Sequence, residues 1–258
     1  MKRPLYLLLT VSLLSVSCEK RELYIDPYYP TTFKKLSNEE ITLMRTSLIN
    51  DYPYIRSTLS DFGFCIPSDF YDVIKPSPNS HLLTETESIE LAKDFVSKHP
   101  KETGIENSAD LEISRVYSLS KETYWTVVSS LQKVDTIEVL YADIVFRFDE
   151  GELVICEGNW FPGIYIPSKF NFSEPEAKNN IVGKQVSHDG WTGKYFQTIS
   201  KSSLEDCTTD LNIVPIHSAD KIELRIAWMF YIPSVSSKVF VDVMTGKIIM
   251  EESTIIAK

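Results

Sequence analysis

The chain is short of basic residues and glycine, and it lacks the common catalytic and metal-binding signatures. It carries 26 Lys and Arg against 36 Asp and Glu, a net charge of -10. General nucleic-acid binding is therefore disfavoured, because phosphate contacts need a basic face. Only 9 of 258 residues are Gly, which excludes collagen-like and Gly-rich linker proteins. The four cysteines include no C-x-x-C, and His81, His99, His188 and His217 include no H-x-H. A zinc site built on local ligand pairs is not expected. H-E-x-x-H, G-x-S-x-G, G-x-G-x-x-G and EF-hand loops are absent. With them go the metalloprotease, α/β-hydrolase, dinucleotide and calcium-loop readings. The G-x-x-G-K at 190–194 lacks the rest of a phosphate loop. No metal, no cofactor and no catalytic residue is expected.

What is present is an ordinary globular composition, 43% hydrophobic and 24% charged, enough to bury a core. The length suits one large domain or two small ones. The first 17 residues read as a secretory signal: basic Lys2 and Arg3, an apolar run over 5–14, then small residues. That run is too short to span a bilayer, which takes about 20 residues. Ser15-Val16-Ser17-Cys18 resembles a bacterial lipobox, with Ser15 where Leu is usual and Leu14 beside it. Cys18 would then be the mature N-terminus and carry acyl chains such as palmitate. The expected location is the bacterial cell envelope, anchored to the outer membrane by lipid. Cleavage removes two basic residues and no acid, so the mature charge falls from -10 to -12. Cys65, Cys156 and Cys207 remain. An oxidising envelope allows one bridge among them, by any of three pairings.

Residues 18–36 read as a polar tether with Tyr24, Tyr28 and Tyr29, and residues 37–80 as a helical segment and linker. Ser37-Asn38-Glu39-Glu40 is a capping box, and Ile41, Met44, Leu48 and Ile49 follow at helical spacing. Residues 53–75 suggest a second short helix ending near Gly63, and 75–80 read as linker. From 84 to 158 the pattern is one helix, opened by Thr84-Glu85-Thr86-Glu87, followed by an antiparallel meander. Its apolar face is Ile89, Ala92, Phe95 and Val96. Residues 159–172 form an aromatic connection. Residues 173–252 repeat the plan, opening on Ser173-Glu174-Pro175-Glu176. Within it, 221–232 alternates strictly, Ile222 to Ile232 on one face and Glu223 and Arg225 on the other. Both halves end in a β-run, an Asp, a Gly turn and an apolar return strand, at Asp149 to Gly151 and at Asp242 to Gly246. Asp accepts turn N–H groups and Gly takes positive φ.

The stretch Ala227-Trp228 … Val239-Phe240-Val241-Asp242-Val243-Met244-Thr245-Gly246-Lys247-Ile248-Ile249 resembles PepSY-type modules. Gln132 … Ile137-Glu138-Val139 … Asp149-Glu150-Gly151-Glu152-Leu153 … Glu157-Gly158 is similar to the module that precedes them in thermolysin-type protease prosegments. The resemblance spans about 84–252. It implies an α+β fold of two cystatin-like modules, each a helix packed on an antiparallel sheet, that bind or inhibit a protease without catalytic residues of their own. No H-E-x-x-H lies in the chain, so such a protease is expected to be a separate molecule.

Three functions follow in order. The first is a lipid-anchored, non-catalytic protein-binding or protease-inhibitory module. Its partner is an unknown envelope protein, and its candidate partner-binding residues are Trp160, Phe161, Tyr165 and Trp191. Trp160, Phe161 and Tyr165 lie in a Pro/Gly connection, where aromatics either pack two modules together or form a docking surface. The second is a carbohydrate or small-ligand binder, favoured if those rings share one cleft. The third is a hydrolase, favoured if His188 and Asp189 meet a Ser or Cys. Cys207 with His217 is a weaker pairing of the same kind.

Overall fold

The computed structural model describes residues 22–68, 83–118, 124–129, 131–149, 151–190 and 193–255. Residues 1–17, expected to be a signal segment, Cys18, residues 75–80, expected to be a linker, and Trp191 lie outside them. The fold is α+β. Three helices begin as the sequence predicts. Asn38–Asp51 (α1), Glu85–Lys98 (α2) and Glu174–Asn180 (α4) each open on a capping box whose Glu accepts from the N-cap N–H at 2.7–2.8 Å. Pro100–Thr103 forms a single extra turn (α3) after α2.

The first sheet is a meander of Ile113–Ser118 (β4), Tyr124–Ser129 (β5), Ile144–Asp149 (β8) and Glu152–Gly158 (β9), ordered β4-β5-β8-β9 and antiparallel throughout. Helix α2 lays Ala92, Phe95 and Val96 against Val127, Ile144 and Phe146, all fully buried. The expected continuous run from 137 to 148 is broken. Lys133–Val134 (β6) and Ile137–Val139 (β7) form a small hairpin that leaves this sheet. β7 instead runs parallel to a strand of the second sheet, Asn212 opposite Glu138.

That second sheet holds Thr208–His217 (β12), Lys221–Ile232 (β13), Ser237–Asp242 (β14) and Ile248–Ser253 (β15), in the order β15-β14-β13-β12-β7-β6. β13 has the predicted bounds and alternation. Ile222, Leu224, Ile226, Phe230 and Ile232 are 0–1% exposed. Phe230 and Ile232 join Ala177 of α4 and Ile181, which caps its end, in one core. Gln185–Gly190 (β10) and Gly193–Thr198 (β11) form a separate hairpin, although 188–193 reads as a loop in the sequence.

Two N-terminal expectations are corrected. A hairpin, Ser57–Leu59 (β2) with Cys65–Pro67 (β3), stands where a second helix is expected. Ser60 explains it: its hydroxyl accepts from the N–H groups of Phe62 and Phe64, which closes a turn between short β-favouring runs. This hairpin lies along β9, with Arg56 N–H donating to Val154 O at 2.7 Å. The tether is docked as well, since Thr31–Lys34 (β1) pairs with β13. Of the predicted α1 face only Leu48 is buried, and Ile49 is 45% exposed.

Candidate functional site at the junction of the two sheets

The 159–167 connection crosses between the two units, and its side chains alternate in fate. Phe161 is 1% exposed and packs between Phe33 and Phe64, ring centroids 5.4 and 5.3 Å away. Phe161 is therefore a core residue and unavailable as a partner contact, which corrects its place among the docking candidates. The Gln132 side chain fixes it on both sides. Its amide donates to Phe161 O at 2.6 Å and accepts from Phe161 N–H at 2.9 Å. An amide used this way mimics one rung of a strand ladder and satisfies two buried backbone groups.

Trp160, one residue earlier, is half-buried and packs against the first core. Its carbonyl comes so close to Gly104 that a Cβ there would lie 1.8 Å from the oxygen. Gly104 is also left-handed, at φ +74°, so two independent constraints call for glycine at the end of α3. Tyr165 stands elsewhere. Its N–H donates to Thr31 Oγ1 at 2.9 Å and its hydroxyl to Asp26 at 3.0 Å, with Tyr28 tilted over it at 5.6 Å. The three described candidates therefore do not share one cleft.

A two-part cleft opens beside Trp160. One bay, about 680 Å³, is apolar and lined by Phe33, Leu36, Leu43, Met44, Phe62 and Phe64, with Pro100 and Pro162. The other, about 640 Å³, is acidic, with Glu106, Asp110, Glu112 and Asp135 against Lys133, and Trp160 and Leu131 as its apolar surface. Gly104, Glu106 and Pro162 belong to both. Leu43 is 66% exposed on α1, an unusual position for a large aliphatic side chain beside a groove. At the rim Glu40 is held as carboxylate below the usual range, chiefly by its bonds to the Ser37 hydroxyl and N–H, with Lys101 adding attraction.

The remaining chemistry is sparse. His188 lies on β10, 1% exposed and stacked on Tyr195 at 5.0 Å, with Nδ1 3.0 Å from Ser253 Oγ. Asp189 alternates to the exposed side of the strand, and among the described residues the buried Nε2 has no hydrogen-bond partner. His188 therefore meets a serine but does not pair with Asp189, the acid that the hydrolase reading set beside it. Cys207 immediately precedes β12 and His217 ends it, so the length of the strand, about 33 Å at 3.3 Å per residue, separates them. Among the described residues no group of three His, Cys, Asp or Glu side chains is arranged to hold a metal ion, and no helix is long and apolar enough to cross a membrane.

The chain is similar to the Bacillus megaterium YpeB C-terminal domain. Identity is 12%, TM-score 0.34, and the match covers 85% of this chain and 98% of that one. No family model matches, and no curated protein does. The structural likeness is too loose to carry a function from one chain to the other. Of the cleft's lining, the sequence pointed to Trp160 and its neighbour Phe161, whose side chain is buried. Leu43 and Met44 come from α1 and Phe62 and Phe64 from the β2–β3 turn, and only the fold brings the two together.

Proposed function

We propose that this protein is a lipid-anchored envelope component that binds a partner protein in the junction cleft and performs no chemistry on it. One observation carries this reading: the apolar and acidic bays are neighbours that share Gly104, Glu106 and Pro162 in their linings. Such a cleft suits a partner segment that presents apolar side chains followed by Lys or Arg. Apolar contacts supply affinity, and the acidic bay supplies orientation and speed of encounter. The PepSY-like sequence features favour a protease as that partner, by analogy with proteases held or inhibited by prosegment-type modules.

The test uses the lipoprotein in its own envelope, captured with its partners and assayed for protease inhibition in the same samples. Leu43→Asp should abolish capture without change in unfolding midpoint, and Trp160→Ala should weaken capture while also lowering the midpoint, because the ring packs on the first core. Phe196→Ala, at an exposed position on β11, should leave capture intact. A captured protease that loses activity supports the inhibitory form. Capture that survives Leu43→Asp places the binding surface elsewhere and overturns the proposal.

A further inference from the structure

The chain after Cys18 is anchored to the second sheet from Tyr24 onward. The Asn171 side chain grips the backbone of Tyr24, accepting from its N–H at 2.9 Å and donating to its carbonyl at 2.8 Å. The same amide donates to Met244 O. Asp26, 5% exposed, accepts from the hydroxyls of Tyr24 and Tyr165 and from Tyr28 N–H, at 3.0–3.2 Å. β1 follows and pairs with β13.

This anchoring holds apolar side chains in water. Ile25 is 85% exposed, Tyr28 71%, and Leu23 and Tyr24 41% each. Four such residues within six positions are more than scattered surface apolar residues account for. Tyr24 also has the form that settles at membrane–water boundaries, an apolar ring with its hydroxyl satisfied. Leu23 is five residues from Cys18, so the extended chain between them reaches at most about 18 Å, at 3.6 Å per residue. Glu19, Lys20, Arg21 and Glu22 lie in that interval, two acids against two bases, so the link to the acyl chains adds no net charge near the lipid headgroups.

We propose that Leu23, Tyr24, Ile25 and Tyr28 form a membrane-contact patch that seats the second unit on the bilayer holding the acyl chains of Cys18. This rests on the lipid anchor of the preceding reading. Acyl chains alone tether a body that remains free to tumble. A rigid apolar patch beside them fixes one face towards the lipid, because Ile25 gains burial only in that orientation.

The experiment separates the two premises. Ile25→Trp and Leu43→Trp are made singly in the full lipoprotein, both at exposed positions where the fold is insensitive. Each is purified from membranes and placed in phosphatidylethanolamine–phosphatidylglycerol vesicles, with and without lipid brominated near the headgroup end of its acyl chains. Over the parent protein, Ile25→Trp should add emission that shifts to the blue and loses more than half its intensity to brominated lipid. The emission added by Leu43→Trp should be unaffected. Mass spectrometry of the N-terminal peptide reads the anchor separately. An unacylated Cys18 removes the anchor and the patch with it. Acylated protein whose Ile25→Trp signal is unquenched, or quenched no more than that of Leu43→Trp, overturns the patch and leaves the anchor standing.

Discussion

The first sheet draws all four strands from 113–158, whereas the second adds β6 and β7 from the first unit and β1 from the N-terminal arm to its own β12–β15. The two Asp–Gly hairpins divide in the same way. Asp242 is fully buried and accepts from five donors: Arg225, Tyr29, the N–H groups of Met244 and Thr245, and the Thr245 hydroxyl, all at 2.7–3.1 Å. Among the described residues, no hydrogen-bond donor meets the Asp149 carboxylate. Similar local sequence thus builds similar hairpins. Tyr29, 213 positions from Asp242, joins with Arg225 in making one of them a hub.

The largest effect should fall on that hub. Asp242→Ala leaves the partly buried Arg225 guanidinium without one of its carboxylates and frees two turn N–H groups. Removing one partner of such a pair costs about 3–5 kcal/mol. Asp149→Ala should cost about 1 kcal/mol or less, as most single substitutions without a specific mechanism do. Urea unfolding followed by tryptophan emission compares the two, and equal losses would erase the distinction between the hairpins.

Next comes the clamp that joins the units. Gln132→Ala strands the N–H and carbonyl of buried Phe161, at about 2–3 kcal/mol in total. Because Phe161 sits where the units meet, the variant should also lose cooperativity and resolve into two urea transitions where the parent shows one. A single transition in the variant would mean that the second sheet does not depend on this seam.

The docked arm can be weighed through Tyr29, whose hydroxyl donates to Asp242 and accepts from Ile226 N–H at 2.9 Å. Tyr29→Phe should cost about 1 kcal/mol near neutral pH. Its effect at high pH has a definite sign. Burial, then the Asp242 charge, pushes the Tyr29 phenol far above its ordinary 10.0, and burial likewise pushes Tyr52 of the first unit up to about 12. A raised folded-state value favours the protonated form, so both contributions are complete below pH 10. They are then lost as pH rises, Tyr52's between 10 and about 12. Tyr29→Phe should flatten this alkaline loss and Tyr52→Phe should flatten it less, read from urea midpoints between neutral and alkaline pH.

Much of the fold is legible in the residues, and where reading fails the cause is physical. The three capping boxes and β13 carry their signals within a few residues, so local pattern and structure agree. β6 and β7 are two and three residues long, too short for alternation to show which sheet they join. β10 contains Asp189 and Gly190, residues that favour turns, and its pairing with β11 overrides them. The arm at 22–36 mixes aromatic, aliphatic and proline residues without a period, and Asn171, Asp26 and Asp242 fix it through hydrogen bonds that no hydrophobic pattern records. At the cleft, Trp160 and Phe161 are neighbours with opposite fates, and composition cannot separate two aromatic residues whose difference is direction.

The smallest expected effect concerns the thiols and sets the N-terminal hairpin against the second unit. Cys65 of β3 and Cys156 of β9 are both fully buried in the first core. Burial, reinforced by a hydrogen bond with Cys65, raises the Cys156 thiol well above its ordinary value. Thiolate is the reactive form, so this pair should be inert while the fold is closed. Cys207 is partly exposed beside the second core. Protein carrying Cys18→Ser and folded in reducing buffer should therefore release one equivalent of chromophore with a thiol-reactive disulfide reagent. It should release three after denaturation in guanidinium, and Cys207→Ser should abolish the first without shifting the urea midpoint. Rapid reaction of Cys65 or Cys156 in native buffer would show that the β2–β3 hairpin lifts from β9. The first unit would then be held at its margin as loosely as the second is held firmly by its arm.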